Sequence, residues 1–515
     1  MKKNAFILWA ALTMTGAFTA CTDNDSLMTE QNELKTVTIH ATIDGDLGSR
    51  VALTDEAGNR AVKVDWAAGD DFKINVDNAD YTFTYNTETK EFDCDNFPET
   101  FPETGTVTAT YPANILTAYA NQSGTLDGAA ALLSMTATLN VTAGQSTDDL
   151  ALNFRHKNSI VKMTLKNEAF KEKNVTGIVL KSGSSPVATA TGNFTGDAEN
   201  GSIVVYFAVA PQEMTDISIH AVCEDKNYIT TLTDNEIGTG KLYNVNKTLV
   251  GIKTTEQAVK YDLALADGTF ISKDDIEYLT DALKGKVKGI VFWTESEEGN
   301  ATLIGGNADK IMQADFPNYN HGLIVALTDV SAGCTWTDFY EYIFSQFQNT
   351  DNFNPPNKSD YKSIATYKND YNLENINSIL GYQNTKVLEA YNKYCSETSG
   401  KENYTVNPVA ELATWKTSTG NEAPANTTGW FIPSIKELHM LWHKDDSCNQ
   451  FSTETRDVID PLIDALGGTK LGDNSYWSSS EDILNYSAKF CIISTGRLVS
   501  HSVSFNYHVR AVCAF

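Results

Sequence analysis

Two histidines four residues apart, His439 and His443, are the first candidates for chemistry in this chain. Side chains at i and i+4 share a helix face, and such a pair can ligate a metal. The segment reads His-Met-Leu-Trp-His, with no glutamate after His439 to act as the base of a zinc protease. Leu438, Leu441 and Trp442 mark the same helix as core-facing, so no metal is expected there. Ser478, Ser479 and Ser480 lack the Gly-x-Ser-x-Gly elbow that exposes a hydrolytic nucleophile. No cysteines stand as Cys-x-x-Cys, which removes zinc ribbons and thioredoxin-type redox sites. Neither an enzyme nor a cofactor is expected. Binding remains. Tyr476 and Trp477 could supply a stacking face, or equally belong to the core. Glu481, Asp482 and Asn485 could contact a ligand from the loop after Trp477, or simply form a solvated turn. Trp477 is followed by serine rather than Asn-Asp, and no Glu-Pro-Asn occurs, so calcium-dependent sugar binding is not expected.

Two other residues invite covalent processing. Lys2 and Lys3 precede a nearly apolar run from Ala5 to Phe18, and Phe18-Thr19-Ala20-Cys21 places small residues before a cysteine. This reads as a signal peptide rather than a membrane span. It resembles a bacterial lipoprotein signal, with Phe18 where that pattern has leucine. The resemblance implies removal of residues 1–20, a lipid on Cys21 and a surface-exposed lipoprotein of the cell outer membrane. Each buried acyl CH₂ adds about 0.8 kcal/mol, so several chains hold a protein without a spanning helix. Residues 22–34 form a polar linker, and its acidic start, Thr22 to Ser26, resembles the stretch that carries some lipoproteins to the outer face. The second processing candidate is Arg50, which follows the loop Gly45-Asp46-Leu47-Gly48-Ser49 and precedes strand-like Val51-Ala52-Leu53. Exposed glycine-containing loops are where proteases cut.

A chain of 515 residues is too long for one core. With 66 acidic against 39 basic residues its net charge is −27, so nucleic acid and anionic lipid surfaces are not expected partners. Period-two alternation runs through the first half, as in Val37, Ile39, Ala41 and Ile43 between Thr38, His40 and Thr42, and again at Phe72, Ile74 and Val76. Turn residues separate such runs at roughly ten-residue spacing, which predicts β-sandwiches. A break near residue 150 gives one sandwich over 35–150 and a second over 151–251. Residues 261–515 mix helices and strands and predict an α+β domain. Expected helices there are Lys273–Leu283, Trp336–Phe347, Ile376–Tyr394 and Ser434–His443, the last with Ser434 and Glu437 as a capping box. Expected strands are Gly289–Trp293, Gly322–Leu327, Tyr476–Ser479, Ala488–Ile493 and His508–Phe515.

Three features of the first half resemble fimbrillins, the pilus subunits of Gram-negative anaerobes. They are Trp66-Ala67-Ala68-Gly69-Asp70 before an alternating strand, Leu152-Asn153-Phe154-Arg155-His156 leading into Ile160-Val161-Lys162-Met163, and the closing strands Phe207–Pro211 and Gly240–Val245. The resemblance implies a tandem, transthyretin-like all-β sandwich. It also implies protease cleavage after Arg50, release of the first strand Lys35–Asp44, and its replacement by a strand from a neighbouring fimbrial subunit. The alternative for Arg50 is that it merely begins a strand.

The second half carries Gly429-Trp430-Phe431-Ile432-Pro433-Ser434 with Glu437-Leu438, then Tyr476-Trp477-Ser478-Ser479-Ser480-Glu481, then Val509-Arg510-Ala511-Val512. These blocks, in this order, resemble the C-terminal domain of a collagen-like adhesin and the major paralogous domain of a cellulolytic bacterium. Phe431 replaces the usual arginine, and the cysteine falls at Cys513. The resemblance implies a C-type-lectin-like fold that binds a carbohydrate or a host or bacterial surface ligand without catalysis. Together the two resemblances imply a fimbrial tip or accessory adhesin. The alternative is a surface glycan-binding lipoprotein that never enters a pilus.

Overall fold

The computed structural model describes residues 36–44, 66–113, 121–224, 226–296, 303, 308–353, 361, 379–443, 453–481, 488–492 and 496–515. Its first unit grows from the alternation in the sequence. Seven strands, β1 (Val37–Asp44), β2 (Asp71–Val76), β3 (Ala79–Asn86), β4 (Glu91–Cys94), β5 (Gly105–Tyr111), β6 (Met135–Val141) and β7 (Leu150–His156), pair in the order β1-β4-β3-β2-β5-β6-β7. The ring closes because β1 pairs antiparallel with β4 and parallel with β7. That closure distinguishes this unit from an open two-sheet sandwich. It also sets the first boundary: β7 begins at Leu150 yet pairs with β1 and β6, so the strand assigned from sequence to the second sandwich completes the first sheet.

Inward residues of alternate strands fill the ring, with Phe72, Phe83, Phe92, Tyr111 and Phe154 all buried. Trp66 meets Phe92, Tyr111 and Phe154 edge-on at 4.9, 5.2 and 5.6 Å. The Trp-Ala-Ala-Gly-Asp turn has a physical reason. Gly69 takes φ +90°, a left-handed conformation, and the Asp70 carboxylate accepts the Ala67 N–H at 2.8 Å and the Tyr111 hydroxyl at 2.6 Å.

The second unit has two layers. Ser159–Lys166 lies between Ser202–Val209, antiparallel, and Leu242–Thr248, parallel. The facing layer begins Ser185–Phe194, Val175–Ser182, Ile217–Cys223, Lys226–Thr231 and Val250–Lys253. Through Val250–Lys253 this sheet continues into the C-terminal region, reaching thirteen strands. There Gly322–Cys334 pairs with Val287–Thr294 on one side and Tyr507–Ala514 on the other.

Helices pack on this extended sheet. The helix Ile435–Trp442 carries the expected capping box, with Ser434 and Glu437 satisfying each other's backbone N–H groups. The stretch Lys273–Leu283 is not one helix. A 3₁₀ segment, Lys273–Tyr278, stops at Leu279, and Thr280 caps a new helix, Asp281–Lys286, by accepting the Leu283 N–H. Trp336–Phe347 is helical only from Ile343, in the helix Ile343–Asn349. Trp336 is instead tied into the sheet region, its backbone N–H donating to Val503 and its indole to the Ser478 carbonyl at 3.1 Å. The helix expected at Ile376–Tyr394 runs Gly381–Glu397. Helices Asn407–Trp415 and Glu454–Ala465 and the strand Leu498–Ser502 have no counterpart in the sequence reading. Cys94, Cys223, Cys395 and Cys513 are buried free thiols, and Cys334 is a free, partly exposed one. Among the described residues no helix is long and apolar enough to cross a membrane.

Candidate functional site

The feature of the first unit that could act on another molecule is β1 itself. Val37 and Ile39 are 1% and 0% exposed, and Ala41 is buried beside them, while His40 and Thr42 face outward. Ladder partners run Val37 to Cys94 through Ile39 to Phe92 on one edge, and Ile39 to Leu150 through Asp44 to Arg155 on the other. The Trp66 indole donates to the Ala41 carbonyl at 2.8 Å, which ties β1 to the Trp-Gly-Asp turn. Taking this strand away would expose two rows of backbone groups and the apolar floor between them, a receptor for any strand with the same alternation. Arg50 lies outside the described residues, as does Cys21.

In the C-terminal region the three sequence blocks converge. Phe431 and Val512 exchange backbone hydrogen bonds at 2.8 and 3.0 Å. Ser479 N–H donates to the Pro433 carbonyl, and Ile435 N–H donates to the Ser480 hydroxyl at 3.0 Å. Arg510 is wholly buried, its Nε 2.8 Å from Asp329 Oδ1, and its guanidinium donates to the Ala326 and Thr469 carbonyls. Asp329 also accepts the Tyr476 hydroxyl at 3.1 Å and lies 2.8 Å from the His508 ring. This buried arginine network drew no attention in the sequence. The signal that could have found it is a lone arginine inside the apolar run Val509–Phe515.

The binding residues expected from sequence need correction. Tyr476, Trp477 and Glu481 lie on one strand, Tyr476–Glu481, and each is 0% exposed. Trp477 packs on Tyr507 and donates its indole N–H to the Cys334 carbonyl at 2.9 Å, so it has no free face. Glu481 is not on a solvated turn. Its carboxylate accepts the Ile343 and Phe344 N–H groups at 3.1 and 2.9 Å and caps the helix Ile343–Asn349. Asp482 and Asn485 lie outside the described residues. Glu481→Ala should therefore cost about 1–3 kcal/mol of stability by orphaning buried donors. Denaturant melts of the full chain check this; an unchanged midpoint would contradict the capping role.

His439 and His443 stack face to face, ring centres 4.0 Å apart. His443 bonds the Gly496 carbonyl at 2.8 Å through Nε2, whereas neither ring nitrogen of His439 has a partner among the described residues. Burial pulls His439 down to about 2, with His443 and Lys436 adding to the effect. On the same helix, burial pushes Glu437 up to about 8, against the Ser434 groups that favour its charged form. The two give opposite pH dependences. Glu437 stays protonated when folded between its ordinary 4.5 and about 8, so stability falls as pH rises through that window. His439 stays neutral when folded between about 2 and its ordinary 6.5, so stability falls as pH drops through that one. The slopes oppose each other from 4.5 to 6.5, and melting temperature should peak there. Glu437→Gln should flatten the alkaline limb; a limb that keeps its slope in this variant would refute the assignment.

No protein-family model matches the chain. Over 263 residues it is 26% identical to Fim1C of Bacteroides ovatus, provisionally named a fimbrium tip subunit. The match takes in 48% of this chain and 44% of that protein, so the chain spans less than half of the relative's length. The chain is similar to fimbrial and cell-adhesion proteins of Bacteroides. Among solved structures, a Bacteroides ovatus fimbrial protein aligns over 93% of this chain and 99% of its own, with 17% identity and a TM-score of 0.39. A second Bacteroides ovatus structure, provisionally named a cell adhesion protein, aligns over 42% of this chain and 95% of its own, with 16% identity and a TM-score of 0.31.

Proposed function

We propose that this chain is a cell-surface fimbrial subunit of the tip or accessory kind, joined to its neighbour by a strand that takes the place of β1. The observation that carries the reading is the setting of β1: a short, alternating strand, paired on both edges, that follows the candidate lipid site Cys21 and precedes the candidate cleavage site Arg50. Cleavage after Arg50 frees β1 from its covalent tie to the rest of the barrel. The vacated groove then takes a donor strand from another fimbrial subunit, which restores both ladders and the buried row. Lipidation at Cys21 holds the precursor at the outer membrane until that exchange.

The tip or accessory position draws support from the strand Tyr507–Ala514. It lies between Gly322–Cys334 and Tyr476–Glu481 in the sheet, with Arg510 locked beneath it. A strand committed on both edges is not available to a neighbour. Residues 261–515 then serve as the outward-facing head that meets a carbohydrate or surface ligand. Immunogold labelling of fibres tests the position. The reading predicts gold at distal ends; gold spread evenly along fibres contradicts it. A chain absent from fibres and still carrying Cys21 at its start would instead be a glycan-binding lipoprotein outside the pilus.

A further inference from the structure

With Tyr476, Trp477 and Glu481 inside the core, a ligand must be met elsewhere. The two most exposed aromatic side chains among the described residues are Tyr340, at 60%, and Phe505, at 49%. Phe505 lies in the turn between the strands Leu498–Ser502 and Tyr507–Ala514. The loop that leads to Tyr340 is tied to that turn, since the Trp336 N–H donates to the Val503 carbonyl at 2.9 Å. The other end of Tyr507–Ala514 meets the entry of the C-terminal region, where Phe515 packs on His321 and the His321 ring bonds the Ala258 carbonyl. A strand of 8 residues spans roughly 25 Å, so the Phe505 turn stands well away from that entry. A single exposed ring is ordinary on a protein surface, but this one is built in. Phe505 contacts His501 at 5.1 Å and, nearly parallel, Tyr507 at 5.7 Å between ring centres. Tyr507 packs in turn on buried Trp477 at 4.7 Å, and its hydroxyl bonds His501 Nδ1. The rings form a file from core to surface. Phe505, at its outer end, is already held in place and loses little freedom on meeting a ligand.

The surroundings of the ring select the ligand. Leu498 to Val509 includes no aspartate, glutamate, lysine or arginine, in a chain where 20% of residues are charged. Beyond that stretch, Asp338 stands on the loop before Tyr340 and Lys489 lies opposite His501 in the ladder, one residue of each sign. The groups beside Phe505 are hydroxyls and an amide. Ser502 and Ser504 bond each other at 3.0 Å, and the exposed Asn506 side chain forms no hydrogen bond among the described residues. Hydroxyl and amide groups both donate and accept. A preformed aromatic face with an uncharged donor and acceptor rim fits a neutral sugar ring, whose C–H face stacks while its hydroxyls bond the rim. One ring and three small polar residues fall short of the about 800 Å² per side that a stable protein partner covers.

We infer that the Phe505 turn binds a neutral saccharide, one pyranose ring stacked on Phe505 and its hydroxyls held by Asn506 and the serine pair. The inference deepens the adhesion reading and rests on it for its biological setting, yet it is tested apart from fibre assembly. Titrate the purified full-length chain with cellotetraose, β-1,4-galactotetraose and β-1,4-mannotetraose, following the sugar C–H signals by NMR. Oligogalacturonate and hyaluronan tetrasaccharide serve as charged comparisons. At least one neutral saccharide should bind, with C–H signals moved upfield by the ring. The charged pair should bind more weakly, since the rim offers no cation and the chain carries a net charge of −27. Phe505→Ala should weaken binding about tenfold or more and Asn506→Ala about threefold, with melting temperature unchanged. Phe505→Trp should retain it, because it keeps an aromatic face. The inference is overturned if no neutral saccharide binds, if the charged pair binds more tightly, or if Phe505→Ala and Asn506→Ala leave binding intact. A loss in Phe505→Trp as complete as in Phe505→Ala, or a Phe505-dependent pairing of two copies in sedimentation in place of saccharide binding, overturns it as well. Incorporation of Phe505→Ala into fibres reports on the subunit reading separately, since this turn lies outside the first barrel.

Discussion

Deleting residues 35–44 should leave the first barrel unable to hold its fold, and adding the peptide Val37–Asp44 in trans should restore it. The deletion removes a strand that is hydrogen-bonded on both edges and buries Val37 and Ile39 almost completely. Burial of those two side chains alone contributes on the order of 3–6 kcal/mol. That is comparable with the whole stability of a small unit, about 5–15 kcal/mol. The Trp66 indole would also lose its acceptor at Ala41. Thermal melts and limited proteolysis read the loss and the rescue. A scrambled peptide of the same composition should fail, because rescue depends on alternation, with one row of side chains facing the floor. A barrel that melts normally without β1 would remove the physical basis for strand exchange.

The second large effect belongs to Arg510. Its guanidinium lies beneath the irregular stretch where Gly322–Cys334 and Tyr507–Ala514 shift register between Val325 and Asp329. There it meets Asp329 and the carbonyls of Ala326 and Thr469. Arg510→Ala leaves the Asp329 carboxylate buried with, among the described residues, the Tyr476 hydroxyl and the His508 ring as its side-chain partners, and should cost about 3–5 kcal/mol. Arg510→Lys keeps the charge but loses the planar fork, so it should fall between alanine and the native chain. The double variant Arg510→Met/Asp329→Leu should recover part of the loss, because it removes both charges together. Denaturant unfolding measures all three. A loss under about 1 kcal/mol for Arg510→Ala would mean that the network does not hold this sheet together.

Much of the local structure was legible. Alternation at Val37, Ile39 and Ala41 marked the buried row of β1, and Ser434 with Glu437 marked a helix start, because both signals depend only on near neighbours. Pairing was less legible. Period two says which side chains share a face, not which strand lies alongside, so the membership of β7 in the first ring could not be read from Leu150–His156. The surroundings of Trp477 and Glu481 were hidden for a related reason. The sequence left Trp477 open between a stacking face and the core and placed Glu481 on a loop, and distant partners at Cys334, Ile343 and Phe344 absorb their polar groups. The helix expected at Lys273–Leu283 broke because Ser272 and Thr280 each cap a short turn, and polar capping competed with apolar spacing.

The central claim is that β1 is exchanged for a neighbour's strand after cleavage at Arg50. Mass spectrometry of this chain's N-terminal peptide, taken from fibres sheared off the cell surface, tests it most directly. The account predicts that the fibre-borne chain begins at Val51 and that the Arg50→Ala chain stays in the membrane fraction as a lipidated precursor. A fibre-borne chain that still carries Val37–Asp44 joined through Arg50 would contradict it.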